Sequence, residues 1–485
     1  MRTLLVSTYE MGRQPLGLAA PAAALRAAGH EVDCFDLAVE TPEAERFAAA
    51  DLIAISIPMH TAARLAIDLA ERLRRLNPDA HIACYGLYAS TLYERLTAPS
   101  VPVGTPAEGA LRPLADSVIG GEYEPALVAL ADRLAGRRNG DLVASPIEGL
   151  GATPAFARQQ YPVPDRRGLP PLEEYARLDP GDGSDARVAG YVEASRGCAH
   201  SCTHCPITPV YGGRLRLVQA SSVLADVAQL IEAGARHITF GDPDFLNAVP
   251  HSLGIAEELH ARWPEVSFDA TIKVEHLLEH EALLPRLREL GCLFVTSAFE
   301  STNDRVLRLL EKGHTARDME RAVALATSAG LTLRPTWVAF TPWTALDDFR
   351  DLLDFVERHG LVASVQPVQY GLRLLLPPGS PLNGTLEAEG RLGPFDDAGL
   401  SYTWAAEDPR VDALQRRLST LVEEHARDRD CSGGGLSYLD SFREVKRLTA
   451  EALRGEGGSP IDAAAIEVAS QPRRAVPGLT ESWFC

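Results

Sequence analysis

The sequence predicts an α/β protein: a doubly wound N-terminal domain, a partial (β/α)6 barrel, and a mostly helical C-terminal extension. Three observations carry this. Short apolar runs of strand length alternate with amphipathic helical segments over residues 1–135 and again over 190–385, and such alternation implies crossover units and parallel sheets. Residues 136–189 between them are rich in Pro, Gly and Asp and read as a linker. The chain has 485 residues, 46 % apolar and 23 % charged, too long for one ordinary core and typical of a soluble globular protein.

In the first domain, strands are expected at Arg2–Thr8, Glu31–Leu37, Leu52–Ile57 and His81–Tyr85, and Val118-Ile119 runs on into Gly120. The helix Leu16–Ala28 stops at Gly29. The helix Thr61–Leu76 places Leu65, Leu69, Leu73 and Leu76 on one face and stops at Asn77-Pro78. Gly120-Gly121-Glu122 leads into a helix over Pro125–Leu134. In the barrel, strands are expected at Gly190–Ser195, His237–Gly241, Val266–Lys273, Leu293–Phe299, Thr332–Val338 and Ala363–Gln369. Helices such as Ser221–Ala233 and Thr315–Ala329 fall between them, and sites on such barrels lie at the C-terminal strand ends. Residues 386–485 carry amphipathic helices at Asp408–Arg427 and Leu439–Leu453 and an extended tail from Val476.

The formal net charge of −19 argues against nucleic acid and anionic lipid as partners, since both require a basic surface. No apolar run reaches 18 residues, and the apolar stretch at Met1 is too short for a signal peptide. A cytoplasmic location is expected. The eight cysteines do not form the dense framework of a small secreted domain. In a reducing compartment a tight cysteine cluster reads as metal ligation. Cys34, Cys84 and Cys292 read as core residues.

That cluster is Cys198-Ala-His-Ser-Cys202-Thr-His-Cys205, directly after a strand. Its C-x3-C-x2-C spacing can bend three thiolates onto three corners of an iron–sulfur cubane, leaving the fourth iron open to react. Zinc is the competing reading, with His200 or His204 completing a set of four.

The loop resembles the signature of the radical S-adenosylmethionine (SAM) superfamily and lies after the first barrel strand, as it does there. The resemblance implies a [4Fe–4S] cluster on Cys198, Cys202 and Cys205. It implies SAM chelated to the open iron by its amino and carboxylate groups, and an adenosyl radical formed on reduction. His204 would pack on adenine. Asp242 and Asp244 stand where many relatives have Gly-Gly-Glu, a departure that leaves them as candidates or as loop caps. Lys273, Glu300 of Glu300-Ser301, and Arg334 are further SAM-facing candidates at strand ends or on the fifth strand. A low-potential electron donor such as flavodoxin or ferredoxin is implied.

The first domain resembles the Rossmann-like, cobalamin-binding half of cobalamin-dependent radical SAM enzymes. Gly120-Gly121-Glu122-Tyr-Glu124 is similar to their Gly-Glu-x-Glu segment, His60 and Gly86 stand at strand ends where the corrin would lie, and Gly121 and Glu122 join them as cofactor-binding candidates. The loop Thr8–Gly12 lacks the cobalt-ligating His many such domains carry. The ending Trp-Phe-Cys485 resembles radical SAM proteins with Cys-Cys- or Cys-selenocysteine-Ala-Glu-Pro tails. A UGA codon is therefore expected after Cys485, with Cys431 and Cys485 as candidate soft substrate ligands. The leading function is cobalamin-dependent methyl or alkyl transfer to a small metabolite or natural product. The alternatives are transfer of the aminocarboxypropyl group of SAM to a soft acceptor such as arsenic(III), and a non-catalytic iron–sulfur or zinc module.

Overall fold

A computed structural model describes residues 1–102, 111–139, 147–432, 437–454 and 476–481. The N-terminal sheet has five parallel strands, Arg2–Ser7, Glu31–Asp36, Leu52–Ser56, His81–Tyr85 and Ser117–Ile119, in spatial order second, first, third, fourth, fifth. Leu52–Ser56 is buried on both faces, which is why its sequence runs apolar without alternating. Helices cover both sheet faces, with Leu18, Leu25, Leu127 and Leu130 in the core on one side and Phe47, Ile67 and Leu73 on the other. Strand order reverses between the first and third strands, and that switch opens a crevice at their C-terminal ends.

The helix His60–Leu76 turns a different face inward from the one its leucines suggest. Ala62, Ala63, Ala66 and Ala70 are fully buried with Leu73, whereas Leu65 and Leu76 are 45 % and 44 % exposed. Small residues let the helix lie close on the sheet, and this close packing outweighs the larger apolar area of two leucines. Arg74, also buried, is satisfied by Asp116 at 2.7 Å and by backbone carbonyls of Pro113 and Ala80.

The barrel sheet contains five parallel strands: Arg187–Val192, His237–Phe240, Ser267–Thr271, Cys292–Glu300 and Thr332–Trp337. Beyond the first of these, Arg177–Asp179 pairs antiparallel, and Gly478–Leu479 from the tail pairs antiparallel with Arg177–Asp179. The expected strand at Ala363–Gln369 is instead a 3-10 turn, Pro367–Gly371. Pro367 has no N–H to donate to a ladder. The Gln369 side-chain oxygen accepts from the Trp337 N–H at 2.9 Å, so a side chain takes the place of the missing strand.

The C-terminal extension holds helices Pro409–Ser432 and Tyr438–Arg454 and an unexpected hairpin, Leu392–Asp396 with Ser401–Trp404. Arg373 lies over the Trp404 ring and pairs with Asp412, binding this extension to the barrel. Among the described residues, no helix is long and apolar enough to cross a membrane.

Candidate active site

One cavity of about 840 Å³ runs between the strand ends of the N-terminal sheet and the barrel mouth, at the upper end of the range for small-molecule sites. The cysteine loop forms part of its barrel wall, and Cys198, Cys202 and Cys205 all line it. The loop is tied down from below. The Thr203 N–H and hydroxyl donate to the carbonyls of Leu310 (3.1 Å) and Leu309 (2.8 Å), and the Thr208 hydroxyl donates to the Cys202 carbonyl at 2.9 Å. Asn247 Nδ2 lies 3.5 Å from the Cys198 sulfur. Burial pushes the Cys205 thiol up to about 12 and raises that of Cys198, so binding as thiolates requires the compensating charge of a metal centre. Among the described residues, donor triads falling within 4.8 Å of one another are His200–Asp244–His276 and His276–Glu279–His280, and the three thiols are spread more widely. Sulfurs around a single tetrahedral zinc ion would lie about 3.8 Å apart. The set fits a cubane better than one ion.

Charged side chains in chains of contacts surround the loop. Lys273 Nζ lies 3.3 Å from His200 Nδ1, and His200 Nε2 lies 3.3 Å from Asp244 Oδ2. An ammonium only donates, so His200 Nδ1 accepts and its Nε2–H donates to Asp244. His276 Nδ1 approaches the same oxygen at 2.8 Å. Burial favours the neutral Asp244 carboxyl, but the two histidines outweigh it and hold it below the usual range. Asp244 Oδ1 also caps the following turn through the Leu246 N–H. On the other side of the loop, Glu300 Oε1 accepts from His204 Nε2 (3.1 Å) and Lys312 Nζ (3.2 Å). Burial acts to raise the Glu300 carboxyl, and Lys312 with His204 overcomes it and holds it at about 2. Glu300 has a left-handed φ of 65°, a strained conformation for a residue with a side chain and one that clusters at functional sites.

Asp242 is engaged by the protein itself. Its carboxylate accepts from the Ala194 N–H at 3.0 Å and the Ser195 hydroxyl at 2.5 Å, and burial lifts it to about 7. It fixes the entry to the cysteine loop. Arg334 projects into the cavity from the fifth barrel strand, lies over the Phe294 ring, and donates to the Pro477 carbonyl of the tail at 3.0 Å. The tail is thus part of the wall: Leu479 and Glu481 line the cavity, and Tyr9 donates to Glu481 at 2.9 Å.

The N-terminal wall is plainer. Gly86 has φ +107°, and a Cβ there would meet the Ile57 carbonyl oxygen at 2.9 Å. Gly121 has φ +75°, and a Cβ would lie 2.1 Å from the Ala155 oxygen. Both line the cavity, and at each a Cβ would meet the chain's own backbone, so glycine is what lets these turns pass so close to their neighbours. His60 lines it too, but its Nε2 lies 2.7 Å from the Gly399 carbonyl, which can only accept, so that nitrogen carries the proton and is not free to ligate. Glu122 does not face the cavity. Its carboxylate takes Tyr161 (2.7 Å), Tyr211 (3.1 Å), Gln159 (3.2 Å) and Arg196 (3.4 Å) at the seam between domains. The side chain of Cys431 is not described, and Cys485 lies outside the described residues.

Three participants are absent from the sequence analysis, His276, Lys312 and Arg196, and His200 enters it only as a candidate zinc ligand. His200 stands inside the cysteine motif, a signal that was present. The others reach the site only through tertiary contacts.

A doubly wound domain faces a cysteine-bearing half-barrel across one cavity, the arrangement that the resemblance to cobalamin-dependent radical SAM enzymes implies. Comparison with known proteins agrees. The radical SAM superfamily matches residues 192–356 and the B12 binding domain matches residues 2–130. The chain thus carries a B12 binding domain followed by a radical SAM domain. It is 25 % identical over 340 residues to hopanoid C-3 methylase of Methylococcus capsulatus, covering 68 % of this chain and 62 % of that protein. It is 29 % identical over 230 residues to ribosomal protein uS12 methylthiotransferase RimO of Thermus thermophilus, covering 42 % of this chain and 52 % of that one. The chain thus spans less than two thirds of either relative. Among solved structures, the cobalamin-dependent SAM radical enzyme OxsB with aqua-cobalamin matches with a TM-score of 0.65 at 15 % identity, over 93 % of this chain and 80 % of that one. TsrM, a radical SAM methyltransferase from Kitasatospora setae, matches with a TM-score of 0.65 at 18 % identity, over 88 % and 90 %. These structural likenesses establish the two-domain fold.

Proposed function

We propose that this chain is a cobalamin-dependent radical SAM transferase that places a methyl or alkyl group on a small metabolite or natural product. The observation that carries the proposal is the single cavity, lined on one side by the three cysteines and on the other by the glycine-bordered edge of the N-terminal sheet. When bound there, the [4Fe–4S] cluster and SAM supply radical initiation and cobalamin supplies methyl carriage. Cys198, Cys202 and Cys205 would hold the cluster. His204, Asp244, Lys273, Glu300 and Arg334 would hold and orient SAM, with Asp242 shaping the loop behind them. His60, Gly86 and Gly121 would border the corrin. The paired charges on the barrel wall are fixed before any ligand arrives, so they orient it without reorganising. A low-potential donor such as flavodoxin or ferredoxin would supply electrons in a reducing, cytoplasmic setting. A B12 binding domain favours this reading over a cobalamin-free transfer.

The test is anaerobic reconstitution followed by absorption and product analysis. Corrin bands, about four irons per chain, and joint release of 5′-deoxyadenosine and S-adenosylhomocysteine are expected. A protein that takes up no cobalamin, or turns SAM into 5′-deoxy-5′-methylthioadenosine, overturns the assignment.

A further inference from the structure

Lys312 is 3 % exposed and lies in the turn after helix Asp304–Leu309. Its ammonium has one carboxylate partner, Glu300 at 3.2 Å, and that carboxylate is shared with His204 at 3.1 Å. The residue lines the same cavity as Cys202 and Cys205. The turn bearing Lys312 also supplies the Leu309 and Leu310 carbonyls that bind Thr203, the residue between those two cysteines. The lysine and the loop are therefore held in one frame. A buried charge in such a low-dielectric place acts far more strongly than one at the surface.

We infer that Lys312, counterbalanced by Glu300, sets the reduction potential of the iron–sulfur cluster. Reduction adds one electron, and so one negative charge, to a cluster already bearing three thiolates. A buried ammonium stabilises the reduced form more than the oxidised one and raises the potential. Glu300 acts in the opposite sense, and its pairing with Lys312 limits the rise. Lys312 is thus a positioning residue for charge, acting on the cluster through the thiolates. The inference rests on the three cysteines holding a cluster.

The experiment is a redox titration of the reconstituted full chain without SAM, with the reduced cluster followed by EPR. Lys312→Met is expected to make the cluster at least tenfold harder to reduce at a fixed potential, a downward shift of about 59 mV for a one-electron couple. Glu300→Gln is expected to shift it upward, and Lys312→Arg to keep it near the wild-type value. Iron content separates the possible failures. If the wild-type chain loads no cluster, the underlying assignment fails. If Lys312→Met keeps about four irons with an unchanged potential, or if both neutral variants shift it the same way, the inference alone fails. Weaker SAM binding by Lys312→Met without a shift likewise overturns it, because the lysine would then act on SAM and not on the cluster. Should Lys312→Met not fold, the upward shift in Glu300→Gln decides the matter.

Discussion

The two walls of the cavity are built by opposite means. The barrel wall is crowded with matched charges: Lys273, His200, Asp244 and His276 in one chain of contacts, Lys312, Glu300 and His204 in another. The N-terminal wall mixes the close turns at Gly86 and Gly121 and the apolar Pro58, Met59 and Leu87 with scattered ionisable groups, Glu10, Arg13, His60 and Arg64, and lacks such linked chains of charge. The difference indicates what each wall can hold. A small charged ligand needs prearranged partners, whereas a large flat one needs surface left empty. Between the two walls stands Arg196, which follows the first barrel strand and is held by groups from both domains.

The largest effect is therefore expected at Arg196. Its guanidinium meets Glu124 at 2.7 Å, Glu193 at 3.1 Å and Glu122 at 3.4 Å, and lies over the rings of Tyr123 and Tyr161. Removing one partner of a buried ionic set leaves the others uncompensated, at about 3–5 kcal/mol. Arg196→Met should lower stability by that amount in urea unfolding, with the domains coming apart before either melts. A loss under about 1 kcal/mol, the range of surface pairs, would mean the walls are held together elsewhere.

A smaller effect, confined to the N-terminal wall, is expected at Gly86. Alanine there must adopt φ +107° and push against the Ile57 carbonyl, a strain of about 1–3 kcal/mol. Gly86→Ala should bind less cobalamin, read from corrin absorption, while keeping its iron. Gly384, in a helix with open space around its Cβ position, is the control, and alanine there should be neutral or slightly stabilising. Equal corrin content in the two variants would mean that the turn at Gly86 does not shape the wall that takes the ligand.

The sequence revealed the two walls unequally. Both α/β units were readable because strand-length apolar runs repeat, and the cysteine loop because three close cysteines after a strand have few meanings. Helix Pro125–Leu134 was placed within Glu124–Asn139. Contacts that depend on the two domains meeting were not readable. Glu122 reads as a cofactor residue by its neighbours in sequence, yet it serves the seam, because Tyr161, Tyr211 and Arg196 arrive there only in three dimensions. Lys312 follows Glu300 by twelve residues, with a helix between them that folds it back onto that carboxylate. The strand expected at Ala363–Gln369 failed for a local reason, Pro367, that was visible but was outweighed by the regularity of the repeat.

The smallest effect isolates one group on the N-terminal wall. Glu10 stands in the loop after the first strand, accepts from the Gly17 N–H at 3.4 Å, and is lifted to about 8 by burial, with Asp36 nearby adding to the rise. The folded chain therefore keeps a proton on Glu10 that the unfolded chain releases near pH 4.5. Between those two values the folded state binds more protons, so stability falls as pH rises, by about 1.4 kcal/mol per pH unit from this group alone. It is fully present below the unfolded value and gone above about 8. Glu10→Gln cannot ionise. Its stability should match that of the wild type below pH 4.5 and exceed it increasingly toward pH 8, in the cofactor-free protein. Taking the difference between the two proteins cancels groups uncoupled to Glu10, such as Asp242 and His276, and leaves Glu10 with its neighbour Asp36. A difference that stays flat across that window would mean Glu10 is ionised in the folded chain, and the N-terminal wall would then carry a fixed negative charge facing the cavity, closer in kind to the barrel wall opposite.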